Sequence, residues 1–181
     1  MRYMTLALSL LLLPSAVVAG TTTTPRPLDP LAAEAFAQAL ERSEIVRTLV
    51  TTLEASNVIV HIESSRALPS DVGGTTRFVV ARGGYRYVRI TFNAQLWGRD
   101  RIATLAHELQ HACEVATSSA ADLAGIRELF QHAGYRTGPY FETSAAATTG
   151  RSVLAELREA RRGSVIPVGS GQPGQDRAPR R

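Results

Sequence analysis

Two histidines flank a glutamate in the stretch Thr104-Leu105-Ala106-His107-Glu108-Leu109-Gln110-His111-Ala112-Cys113-Glu114. The pattern is H-E-x-x-H, set among residues that favour a helix. On a helix, side chains four positions apart lie one turn above each other, so His107 and His111 would present two imidazoles to one point. Zinc takes imidazole nitrogens readily, and a catalytic zinc has three protein ligands and an open fourth position. Glu108 follows His107 by about 100° of helix rotation, close enough to accept a proton from water activated there. The chemistry implied is hydrolysis assisted by Zn2+, with His107 and His111 as ligands and Glu108 as general base.

The surrounding residues support a helix with two unlike faces. Ile102, Leu105, Leu109, Ala112, Cys113 and Ala116 fall on the side opposite the histidines, as expected if one face packs on a core. A third ligand has to come from downstream, and Glu114, Glu128, His132 and Glu142 are available. Glu114 shares the histidine face but lies about 10 Å from His107 along a straight helix, which suits it better to orienting an imidazole. His132 is expected at a helix end, where a histidine commonly serves the C-terminal dipole. Glu142 is preferred, with Glu114 and His132 kept as alternatives. It is expected to open a helix that the small residues Ser144 to Ala147 would let approach the first closely.

These residues must be held by other elements. Asp29-Pro30 reads as an N-cap and first turn of a helix to about Glu41, with a second run from Ser43 or a break there. Val58 to Glu63 alternates like a strand with both faces partly covered, whereas 64–76 reads as a turn-rich loop. Residues 77–82 and 85–92 flank Gly83-Gly84, a hairpin signal because primed turns need positive φ. Asp100 is expected to cap the histidine helix, which ends near Ala116. A further helix is expected over 122–132, a loop over 133–140, and a last helix over 141–161. The fold class is therefore α+β: a small antiparallel sheet of about three strands, the H-E-x-x-H helix and further packing helices. His61, in a strand distant from the motif, is read as structural or solvent-facing.

The order of hairpin, His107-Glu108-x-x-His111 helix and later glutamate resembles the gluzincin branch of the zincin metallopeptidases. The wider stretch A-H-E-L-Q-H-A behind a leader also resembles small secreted bacterial proteins. The gluzincin resemblance implies a minimal zincin-like domain, His107, His111 and Glu142 as zinc ligands, and Glu108 as general base. In that family an acidic residue four positions after the third ligand supports a zinc histidine; here that place is Ala146. The metzincin continuation is absent, since Val115 and Ser118 stand where its glycine and third histidine would be. The function expected is a zinc-dependent metallopeptidase acting on peptides or proteins, the alternative being a non-catalytic zinc-binding protein with a zincin-like fold. Among Tyr135, Tyr140 and His132, Tyr140 is the expected donor to a developing oxyanion, because it lies two residues before Glu142. A substrate peptide is expected to add to the edge of the 85–92 strand.

The ends of the chain read differently from its middle. Arg2, the apolar run Leu6–Leu13 and the small residues to Gly20 form a cleavable signal peptide over 1–20, so a secreted or periplasmic location is expected, without stable membrane insertion once it is removed. Residues 21–28 read as a spacer, 29–162 as the metallopeptidase domain and 163–181 as a disordered basic tail. All twenty basic residues are arginine, and the formal charge is +4. Residues 21–157 nevertheless hold thirteen arginines against fourteen carboxylates. The basic character is therefore assigned to the tail and not to a binding face, and no nucleic-acid partner is expected. Cys113 is the single cysteine, which excludes an internal disulfide, and its place on the apolar face marks it as a buried hydrophobe.

Overall fold

The structure, a computed structural model, describes residues 25–137 and 140–163. The leader expected over 1–20, residues 21–24 of the expected spacer and the expected tail from 164 onward lie outside the described residues. The elements run β1 (Arg26–Pro27), α1 (Pro30–Arg42), α2 (Glu44–Glu54), β2 (Val58–Ser65), β3 (Gly74–Arg82), β4 (Tyr85–Asn93), α3 (Gly98–Thr117), α4 (Leu123–Ala133), β5 (Gly134–Thr137), β6 (Tyr140–Thr143) and α5 (Ser144–Gly163). The architecture is α+β, with one sheet ordered β1-β2-β4-β3 and a separate β5–β6 hairpin.

The expected sheet of about three antiparallel strands is corrected to a mixed sheet of four. β4 pairs antiparallel with β3 but parallel with β2. The reason lies in the residues of β4, where Arg86, Val88, Ile90 and Phe92 are all buried on one face. Such a strand belongs in the middle of a sheet, and a hairpin whose second strand takes the middle runs that strand parallel to β2. Gly83 and Gly84 both have positive φ (61° and 81°), as the two-residue turn between β3 and β4 requires. The fourth strand comes from the expected spacer, because Arg26–Pro27 pairs with His61–Ile62 of β2. Residues 74–76, expected in a loop, are the start of β3.

The core lies between this sheet and the helices. Val58, Val60 and Ile62 of β2 and Val88, Ile90 and Phe92 of β4 are fully buried, together with Val46, Leu53, Ile102, Leu105 and Leu109 from α2 and α3, and Phe36 of α1 is nearly so. Helix α3 packs against the sheet and against α1, α2 and α5. Ser43 is the hinge between α1 and α2, ending one and capping the other through a hydrogen bond from Val46 N. Asp29 caps α1 as expected and also accepts a hydrogen bond from Ser64 N at 2.7 Å, which ties the helix to β2.

Asp100 does not cap α3. Trp97 is the N-cap, without a side-chain hydrogen bond, and Asp100 sits in the first turn, where its charge still favours the helix dipole. The other end of α3 is fastened by Arg86. Its guanidinium donates to the carbonyls of Val115, Ala116, Ser118 and Ala120, and to Asn57 Oδ1. A cation at a helix C-terminus meets both the unpaired carbonyls and the dipole. Among the described residues no helix is long and apolar enough to cross a membrane.

Candidate metal centre

Helix α3 presents His107, Glu108 and His111 toward β3 and toward the elements that follow it. Glu142 reaches the same place from strand β6. The expectation that Glu142 opens a helix is therefore corrected: residues 134–143 form a hairpin, and α5 begins at Ser144. Register places Tyr135 opposite Glu142 and Arg136 opposite Phe141, and aromatic residues of this kind favour a pleated ribbon over a helical turn. Gly134 permits the pairing. A Cβ there would lie 2.3 Å from the Glu142 carbonyl oxygen, so the strands close only around a glycine.

The three side chains converge. Glu142 Oε2 is 3.2 Å from His107 Nε2, and Glu142 Oε1 is 3.8 Å from His111 Nε2. One ligand atom from each of the three lies within 4.8 Å of the other two, a group that could hold a metal ion. Two imidazoles and a carboxylate form a donor set that zinc accepts, so the residues present fit the ion expected from the sequence.

Supporting contacts fix the rings. Glu114 Oε2 lies 2.9 Å from His111 Nδ1, and Glu114 Oε1 accepts a hydrogen bond from Thr143 Oγ1 at 2.6 Å. That contact favours a proton on Nδ1 and leaves Nε2 free to coordinate. Thr143 also gives its backbone N–H to Glu142 Oε1 at 2.8 Å, and its hydroxyl receives Ala146 N at the start of α5. Phe130 of α4 stands edge-on to His111, with ring centroids 5.6 Å apart.

Glu108 is 4% exposed and receives Thr76 Oγ1 on its Oε2 at 2.8 Å. Gly74 lies against it, since a Cβ at that position would fall 2.8 Å from Glu108 Oε1. Burial pushes the Glu108 carboxyl up to about 7, against the pull of His111 and the Thr76 hydrogen bond. Burial also draws His107 below its ordinary range and, with the His111 charge, outweighs the opposing effect of Glu142. Burial acts to lower His111 too, yet the Glu114 hydrogen bond and the charges of Glu108, Glu114 and Glu142 prevail and raise it. A carboxyl poised near 7 is suited to taking up and returning a proton.

An open cleft of about 870 Å³ runs past the group, lined by Gly74 and Thr76 of β3 and by Phe130, Phe141 and Leu154. Tyr140 lines it as well and is 41% exposed. His132 does not join the group; it is exposed and its Nδ1 lies 2.8 Å from the Glu128 carbonyl, on its own helix. Cys113 is buried on the opposite face of α3, where burial pushes its thiol up to about 12. His61 lies apart in the sheet, its ring stacked on Tyr87. Sequence reasoning missed Gly74, Thr76 and Thr143; a glycine before two threonines was read as the end of a loop. The strand 85–92 offers no free edge, because β4 is paired on both sides, and the open edge beside the cleft belongs to β3.

Comparison with known proteins finds no matching family model, no matching curated protein and no matching solved structure.

Proposed function

We propose that this chain is a zinc-dependent metallopeptidase of the gluzincin-like kind, exported by the leader read at residues 1–20. The observation that carries the reading is the convergence of His107 Nε2, His111 Nε2 and the Glu142 carboxylate beside the buried Glu108. His107, His111 and Glu142 would hold the ion. When bound, zinc supplies Lewis acidity, polarising a carbonyl and making water acidic enough to ionise near neutral pH. The other roles belong to the chain. Glu108 takes the proton of the attacking water and passes it to the leaving amine, with Thr76 holding the carboxylate in place. Glu114 keeps the His111 ring in its tautomer and orientation. Tyr140, on the cleft wall, is the donor assigned to the developing oxyanion. An extended peptide is placed along the open edge of β3 at Gly74–Arg77, which corrects the earlier expectation of the 85–92 strand. The reading is zincin-like in its helix, edge strand and ligand order.

The test joins metal content to cleavage. The purified chain should carry one zinc per molecule and cut members of an extended-peptide library in a chelator-sensitive manner. Glu108→Gln should retain the zinc and lose at least about 100-fold in rate. Stoichiometric zinc with no cleavage of any library member would favour the non-catalytic zinc protein instead. Full activity in Glu108→Gln would remove Glu108 from the mechanism.

A further inference from the structure

The balanced charge of residues 21–157 conceals a segregated face. Buried residues of β2 and β4 turn toward the helices, so the alternate residues look away from them. Register then places Arg26 of β1 opposite His61 of β2, His61 opposite Arg89 of β4, and Arg89 opposite Arg77 of β3. Cross-strand partners share a face, so Arg26, His61, Arg89 and Arg77 make one row over all four strands. The electrostatics of His61 agree: after burial, the charges of Arg26 and Arg89 are what pull its pKa down. Glu63 supplies the nearby countercharge, 3.8 Å from Arg89 Nε, and it also accepts a hydrogen bond from Thr91. Arg89 Nε is itself buried without a hydrogen-bond partner among the described residues.

The row ends at an edge. β3 is paired on one side only, and Arg77 is exposed there. It forms none of the ion pairs found among the described residues. Beyond it the register shifts between Phe78 and Val80 before pairing with β4 resumes through Arg82, and a bulge of this kind interrupts and re-aims an edge. The stretch able to accept another strand is therefore Gly74–Arg77, whose Thr76 and Gly74 face Glu108 and whose Thr75 and Arg77 face the arginine row.

The geometry points to Arg77 as the specificity-determining residue of this edge: it selects extended peptides with Asp or Glu opposite it and rejects Lys or Arg there. The inference rests on the reading that substrate lies along β3. A residue opposite Arg77 becomes the fifth member of the row, whichever way the peptide runs. Opposite charges on facing strands attract and like charges repel, and here the three arginines of the row add in sign. The selected acidic side chain is one peptide position away from the side chain that faces the cleft opposite Thr76.

Binding of blocked, extended peptides to zinc-loaded full-length Glu108→Gln tests this without turnover. Peptides identical except for Asp, Asn or Lys at one scanned position are compared by fluorescence anisotropy. At one position Asp should bind about fivefold tighter than Lys, and added salt should shrink the difference. Arg77→Glu in the same background should reverse the order, and Arg77→Gln should abolish it. An unchanged order in Arg77→Glu overturns the assignment. So does cleavage of the set by the native chain with no charge preference at any position, which leaves the peptidase reading standing. Zinc-loaded protein that binds no peptide, or binds anionic vesicles in its place, overturns the assignment together with the edge-binding reading.

Discussion

Glu114 Oε2 stands 2.9 Å from His111 Nδ1, and the same carboxylate takes the Thr143 hydroxyl on its other oxygen at 2.6 Å. One residue of the α5 entry thereby steadies a ring of α3, while its backbone N–H steadies the Glu142 carboxylate. Outer partners of this kind commonly govern metal affinity by 10- to 100-fold. Glu114→Gln and Thr143→Val should each weaken zinc binding by about tenfold or more, measured by competition with a chromophoric chelator. Thr143→Ser should restore most of the affinity, because it keeps the hydroxyl. If Thr143→Val binds zinc as tightly as the native chain, the hydroxyl acts only as the α5 cap.

Gly134 should be as sensitive as a ligand, although it touches no metal. A methyl group there would meet the Glu142 carbonyl at 2.3 Å, and backbone cannot swing aside as a side chain can. Gly134→Ala should part β5 from β6, move Glu142 off the two imidazoles and lower zinc affinity by about tenfold or more. Most of the core comes from β2, β4 and α1–α3, with Ile126 of α4 and Val153 and Leu157 of α5 added from the helices that flank the hairpin, so the thermal midpoint of the chelated protein should fall less than the affinity. Unchanged zinc affinity in Gly134→Ala would show that the hairpin does not set the position of Glu142.

The histidine helix was legible in the sequence because its evidence is local. His107 and His111 are one turn apart, Leu105 and Leu109 mark the buried back, and the spacing fixes both faces at once. Glu142 was legible as a candidate through the types of residue available, but its strand was not. Phe141-Glu142-Thr143 leads straight into the alanines of α5, and no local signal separates a short strand from the first turn of that helix. Sheet order was hidden for a related reason. Pairing β2 with β4 joins residues about 28 positions apart, as in Val58 with Arg86, and only burial of β4 in the middle decides it. The arginine row is a product of register. Arg26, Arg77 and Arg89 are scattered along the chain, and their sum is cancelled by carboxylates elsewhere in the sequence, Glu63 beside Arg89 among them. Thr76 and Thr143, the hydroxyls that serve the site, carry no periodic signature at all.

Glu108 links stability to pH in a direction opposite to most carboxylates. Burial holds its pKa in the folded chain at about 7, above the ordinary 4.5. Between those values the folded chain keeps a proton that the unfolded chain has released, so stability declines as pH rises through that window and levels off above 7. The full cost of ionising the buried group is on the order of 3 kcal/mol, with the favourable Thr76 hydrogen bond already counted in it. In chelator-treated protein, Glu108→Gln should therefore be more stable than the native chain at pH 8 by about 1–3 kcal/mol, and the advantage should fade toward pH 5. Denaturant unfolding at the two pH values measures this. Catalysis runs the other way, since the base must be ionised: kcat/KM should fall on the acid side as the Glu108 carboxyl takes up its proton. Stability and activity thus pull against each other at one carboxyl, which is the pattern expected of a group retained for chemistry and not for the fold. A Glu108→Gln variant no more stable than the native chain at pH 8 would mean that the carboxylate ionises without cost, and the case for a poised base at this position would fail.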